Sequence, residues 1–401
     1  MNKKLITILS FVGLYLISTG ISWGAFSYFG SGNSSTSSLS GIEGERAKIA
    51  ELPKTEACPI NGQKYSEVER DIWEERRPMA VVIENHLDSR PQSGLSKADV
   101  VYEVIAEGGI TRFLGIFYCD AAAEDVTIGP IRSARVYLVN WAAGYGKDPL
   151  FVHFGGANNI CGDCPGGVKP VGTVSTKVMA LEKLIDMGWR YSQGNALDGG
   201  ANVSYPAIKR DQTRLGEVSA WEHSAVGSTD LLFELGIERG FGYKTEDGDP
   251  WIDSFDSWHF KDGSPSTSPE ATQIAFEFWS NKPDYDVNWK YDSSTNSYLR
   301  YNGGEPHVDW EYDNKQLQAE NIIIMYVEEE GPVDRELHMY YETLGEGEAL
   351  YFQNGDVFEG TWEKEDVEDQ ITFYDENGTE MEFVRGKIWI EALPQGNDII
   401  Y

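Results

Sequence analysis

Basic side chains are scarce in this sequence. Its 401 residues hold 33 lysines and arginines against 65 aspartates and glutamates, a formal net charge of −32. Binding nucleic acid as a main activity needs a basic footprint to neutralise phosphates, so this balance argues against that class. It argues equally against a broad basic face lying on anionic lipid. Histidines number six and are scattered, so no metal-ligand set is assigned and no cofactor is expected. No D-x-D-x-D-G loop occurs, which removes the usual calcium hand. No repeat of fixed period is present, so solenoids and propellers do not apply. Only four cysteines occur and none precedes Cys58, so a lipidated N-terminal cysteine is not offered.

What is present is enough apolar material for a real core: 41% hydrophobic and 12% aromatic residues. The acidity is uneven. Residues 261–401 hold 9 basic and 32 acidic side chains, whereas residues 70–140 hold 8 and 11. Lys3 and Lys4 precede an uncharged run, Leu5–Phe29, which as a helix spans roughly 37 Å and crosses a hydrocarbon core of about 30 Å. The flanking lysines predict an inside N-terminus with the bulk of the chain facing outward. The alternative is a cleaved signal, with Ser22 and Gly24 as small residues before Ala25. "GSGNSSTSSLSG" at 30–41 is a flexible spacer by composition. Outside the membrane an even number of cysteines permits disulfides. Cys161 and Cys164, in "CGDC", are expected to form a small local one; whether Cys58 and Cys119 pair is left open.

"RRPMAVVIEN", "DVVYEVIAEGG", "TRFLGIFYCD" and "LFVHFGG" are apolar runs of strand length bounded by turn residues. "IGPIRSARVYLVNWAAGYG" predicts a helix that starts near Pro130 and stops at Gly144. "STKVMALEKLIDMG" predicts a second. Beyond about residue 240 short alternating runs take over, with Asn354-Gly355 and Asn377-Gly378 as hairpin turns. The expected class is α+β. Residues 1–29 form an anchor or signal and 30–57 a spacer. Residues 58–240 form a mixed α/β domain with helices packed on a sheet. Residues 241–268 form a connection, and 269–401 a mostly β domain.

Several of these segments resemble, in order, the YerB-like family of bacterial envelope lipoproteins. The likeness spans about residues 58–396. It rests on "RPQSGLSKADVVYEVIAEGGITRFLGIFY", "IGPIRSAR", "FVHFGGA", "VNWKYDSSTNSYLRYNGGEPHVD", "LQAENIII" and "TFYDENGTEMEFVRGKIWIEALP". Two departures matter. The family's lipobox cysteine is absent, and where relatives carry a Pro-His-Asn stretch this chain has "WEHSAV", keeping only His223. The resemblance implies an envelope location and a two-part architecture, and carries no established activity.

If a helix starts near Pro130, Arg132 and Arg135 lie about 60° apart on one face of it. Their charges oppose the helix dipole, at a cost on the order of 0.3–1 kcal/mol each. Either nearby glutamates such as Glu103, Glu107 or Glu84 pair with them, or a bound anion sits where helix N–H groups and guanidinium forks converge. Arg112 and Arg90 are placed to approach the same spot, and Asn85, Glu103 and Glu107 belong to it. The layout is similar to that of LytR-CpsA-Psr transferases, which set arginines after a sheet strand to hold a lipid-linked pyrophosphate. The expectation is a membrane-anchored, extracytoplasmic protein whose arginine-lined cleft takes an anionic glycan or lipid-linked envelope ligand. The alternatives are a wall-metabolism enzyme using carboxylates of that cleft, and a structural adaptor. Glu103 and Glu107 share a strand face about 13 Å apart by spacing, wider than the roughly 5–9.5 Å of paired glycosidase carboxylates.

Overall fold

The computed structural model describes residues 51–161 and 173–401, with positions 49, 167 and 169. The segment Leu5–Phe29, the spacer and Cys164 lie outside them. Among the described residues no helix is long and apolar enough to cross a membrane.

Runs of β-branched and aromatic residues build one large twisted sheet. Its strands are β1 (Met79–Glu84), β2 (Val100–Glu107), β3 (Ile110–Phe117), β4 (Leu150–His153), β5 (Ala196–Asp198), β6 (Asn321–Glu330), β7 (Gly345–Gln353), β8 (Asp356–Lys364), β9 (Thr372–Asp375) and β10 (Ile388–Pro394). The spatial order is β9-β8-β7-β6-β10-β2-β3-β1-β4-β5. β6, β10 and β2 run parallel, as do β1, β4 and β5; β3 is antiparallel to both of its neighbours. β1 is buried along its whole length, as a strand covered on both faces must be. The strand-rich C-terminal region and the helix-bearing N-terminal one bear out an α+β class. The segments expected as separate domains, 58–240 and 269–401, nevertheless share this sheet. β10 lies between β6 and β2, with Ile390 opposite Tyr102 and Glu391 opposite Glu103. Residues 52–401 make one unit.

A smaller antiparallel sheet, from 273–276, 287–292, 297–302 and 305–306, covers one face of the large one. Its Trp289 meets Trp389 of β10 edge to face at 5.2 Å, and Trp389 meets Phe113 of β3 at 5.7 Å. Inside this aromatic box lie three fully buried charged groups, Glu103, Arg300 and Glu391. Arg300 pairs with Glu103 and lies 3.7 Å from Glu391; its guanidinium also covers the Trp389 ring at 4.8 Å. Burial first, and the Glu103 charge second, push the Glu391 carboxyl well above its usual range. Burial beside the Glu103–Arg300 pair thus disfavours a charge on Glu391. Arg300 also donates to His307 Nδ1 at 2.7 Å, and His307 Nε2 meets Gln92 at 2.8 Å.

Among the described residues the longer α-helices are α1 (Glu67–Glu74), α2 (Val136–Ala143), α3 (Ala180–Asp186) and α4 (Thr229–Glu238). α1 starts at a capping box in which Ser66 and Glu69 satisfy each other's backbone N–H groups. The helix expected from Pro130 begins six residues later, with Arg135 as its N-cap. Sheet-like pairing claims the intervening backbone. Gly129 exchanges hydrogen bonds with Ser93, Ile131 N–H donates to Ala225, and Arg132 N–H donates to Val82. A Cβ at Gly129 would meet the Ala225 carbonyl at 2.7 Å, so this approach needs glycine. Asn354-Gly355 does form the β7–β8 hairpin turn, both residues at positive φ.

Cys58 and Cys119 form a disulfide across 61 residues. Closing a loop of that length is worth about 4 kcal/mol in chain-entropy terms. Beside it the buried Asp99 carboxylate accepts from Asn61 and from the backbone N–H groups of Tyr118, Cys119 and Asp120. Cys161 is also disulfide-bonded.

Candidate functional site

Charged residues collect where β1, β2 and β4 end, beside the extended link 127–135. Glu84 closes β1 and lies opposite Arg112 of β3 in the antiparallel register, so the two share a face. The β2–β3 register slips between Ile105 and Glu107. That bulge turns Glu107 onto the face of Arg112, away from the face of Glu103. Glu107 receives Arg112 Nη2 at 2.7 Å on one oxygen and Arg135 on the other. Burial opposes a charge on Glu107, but the two guanidiniums outweigh it and hold the carboxyl well below the usual carboxylate range. Arg112 reaches the Ser133 carbonyl and Arg135 the Ala134 carbonyl, which ties both to the link.

Glu84 forms the second node. Its Oε1 lies 3.0 Å from Arg132 Nε, and its Oε2 lies 2.8 Å from His223 Nδ1. Arg132 also donates to the Glu222 carbonyl at 2.7 Å. Arg210 lies over the Phe154 ring at 3.9 Å and donates to the Trp221 carbonyl. Burial first and the adjacent Arg132 charge second lower the Arg210 pKa, the sign of two cations held side by side. The result is a row of four arginines, Arg135, Arg112, Arg132 and Arg210, against Glu107, Glu84 and the exposed Glu222. The Nε atoms of Arg112, Arg135 and Arg210 are buried without a hydrogen-bond partner. Solvent reaches the row at Arg132 and Glu107, whose side chains are 27% and 28% exposed.

The seven residues expected in one cleft therefore separate. Arg112, Arg132, Arg135 and Glu107 belong to this row. Arg90, Asn85 and Glu103 lie on the opposite face: Asn85 donates to Glu103 and Thr111, and Arg90 donates to Asn85. Arg90 faces a different cavity, of about 390 Å³, with Asn302 and His307 in its wall. Glu103 and Glu107 do not share a strand face, because spacing alone takes no account of the bulge. The arginines do not converge on empty space; each has a carboxylate or carbonyl partner.

Glu84 was among the glutamates expected to pair with the arginines, and it does so with Arg132. Two members of the site were missed: Arg210 has no pattern around it, and His223 sits in a stretch that departs from the family text. The one available signal was that single retained histidine.

A layered α+β fold carrying an arginine row at the ends of its parallel strands defines the class. The chain matches the family models described as "Protein of unknown function (DUF3048)", the N-terminal domain over residues 65–169 and the C-terminal domain over 274–390. It belongs to that family. It is 30% identical over 355 residues, 87% of this chain and 90% of the other, to the Bacillus subtilis (strain 168) protein named "Putative lipoprotein YerB". The crystal structure of YerB from Bacillus subtilis superposes with a TM-score of 0.65 at 27% identity, covering 86% of this chain and all of that one.

Glu107 holds two nearly buried cations, so Glu107→Gln should cost on the order of 2–3 kcal/mol at neutral pH, reduced from the fully buried case by its partial exposure. A carboxyl with a depressed pKa contributes stability above its unfolded value near 4.3 and loses it as pH falls through the folded value. Denaturant unfolding at pH 7 and at pH 3 should show the difference between wild type and variant shrinking in acid. A difference independent of pH would assign the loss to packing.

Proposed function

We propose that this protein is tethered at the outer face of the membrane and binds a phosphate-bearing envelope glycan or lipid-linked intermediate along the arginine row. The observation that carries the reading is the clustering of cations at the strand ends, four arginines among Glu84, Glu107 and Glu222, in a chain of net charge −32. Guanidinium forks suit phosphate oxygens geometrically as well as by charge. Trp221, 60% exposed, adjoins Arg210 and offers a flat ring for a sugar to stack on. The tether draws support from Leu5–Phe29, from the relative's lipoprotein name, and from the Cys58–Cys119 disulfide, which suits an oxidising compartment. A glycosidase-like carboxylate pair finds no support, since Glu103 is sealed in the seam and Glu107 faces the other way.

Arg135 is not the residue to test, because it is nearly buried and its loss leaves one Glu107 oxygen unpaired beside Arg112. Arg132 and Arg210 are the accessible pair. Arg132→Gln with Arg210→Gln should lower the unfolding midpoint modestly, because the buried Glu84 keeps only His223 and a neutral amide, and should weaken binding of phosphorylated wall polymer at least tenfold, about 1.4 kcal/mol. Unchanged binding in a folded double variant would refute the reading.

The tether has its own test. Protease added to intact cells should degrade residues 52–401 and leave a short membrane-bound stump. Full protection in intact cells, lost only on lysis, would place the bulk of the chain inside.

A further inference from the structure

Two histidines distant in sequence meet beside the row. His86 follows β1 and caps a short turn, Leu87–Ser89; His223 comes from the "WEHSAV" stretch. Their rings stack at 4.6 Å with 12° between planes. One ligand atom each from His86, Asp88 and His223 lie within 4.8 Å of one another. We propose that these three side chains bind a divalent transition-metal ion of the zinc class.

The chemistry of each donor fits. His223 is nearly buried, and Glu84 Oε2 lies 2.8 Å from its Nδ1. A carboxylate there fixes the proton on Nδ1 and leaves the Nε2 lone pair for a metal, the arrangement that orients most metal-binding histidines. His223 is thus the preorganised ligand. His86 and Asp88 are the adaptable ones, their side chains 33% and 70% exposed. Donors around tetrahedral zinc sit about 3.3 Å apart, so donor atoms now within 4.8 Å close by at most roughly 1.5 Å, and the half-buried His86 ring turns out of its stack on His223 so that both lone pairs meet one ion. His86 Nδ1 accepts only the Asp88 N–H at 3.2 Å, a long contact that a metal–nitrogen bond can replace. Two imidazoles and one carboxylate make a three-ligand set, which leaves a fourth position open. The set is borderline in softness and suits zinc, nickel or cobalt better than calcium or magnesium. The neighbouring cation, Arg132, is already matched by Glu84 Oε1.

The proposal stands apart from the anion reading and is tested with the metal alone. Full-length protein stripped with chelator is titrated with zinc, followed by calorimetry and by metal content after desalting. One equivalent should bind, and the unfolding midpoint should rise because only the native state holds the site. His86→Ala and His223→Ala should each weaken zinc at least about 100-fold, a loss of about 2.8 kcal/mol. The exposed position of His86 makes its variant safe for folding, so a misfolded His223 variant does not remove the test. Arg210→Gln, which strikes the anion row without breaking the Glu84–His223 contact, should keep its zinc. Absence of binding at about 100 μM zinc, or equal binding by the His86→Ala variant, would overturn the proposal.

Discussion

β2 carries the constraint on which the rest depends. It is an eight-residue strand with a glutamate committed to each face. On one face Glu103 is sealed against Arg300 and Glu391, and a charge with no water must have partners. Those partners come from the far end of the chain, so β2 cannot be finished until β10 docks in parallel beside it. The same pairing lets Trp289, Trp389 and Phe113 close over the seam. Removing one member of such a buried set typically costs about 3–5 kcal/mol, because the others remain in the core unpaired. This is the physical reason that two sequence segments with separate family models fold as one unit.

The bulge before Glu107 then changes what the strand presents. One slipped register moves the second glutamate to the opposite face, where it gathers Arg112 and Arg135 beneath the link 127–135. The site thus sits at the carboxyl ends of parallel strands, a usual place for ligands in sheets of this kind. It is built on strands and on a link pinned by backbone hydrogen bonds, so its arginines are held rather than floating. Arg132 and Arg210 complete the row from the solvent side. In so acidic a chain, cations kept side by side and partly screened from water raise the local potential for an incoming phosphate.

Much of this was legible. The apolar runs of β1 to β4, the glycine stop after α2 and the Asn354-Gly355 hairpin follow from local chemistry. The grouping of Arg112, Arg132 and Arg135 followed from their rarity beside glycines. What failed was non-local. Pro130 suits a helix start on propensity, but Ser93, Val82 and Ala225 claim the backbone around it, and none of them is near in sequence. Strand periodicity placed Glu103 and Glu107 together, and a single bulge separates them. The pairing of β10 with β2 spans nearly the whole chain and leaves no local mark. His86 and His223 looked scattered because only the folded sheet brings them into contact.

The central claim is that the arginine row takes a phosphate-bearing anion. A crystal structure of residues 52–401 soaked with inorganic pyrophosphate tests it directly. The account predicts density within hydrogen-bond distance of the Arg132 and Arg210 guanidiniums, about 2.7–3.2 Å. Density only at other basic side chains, with Arg132 and Arg210 keeping just their present partners, would contradict it.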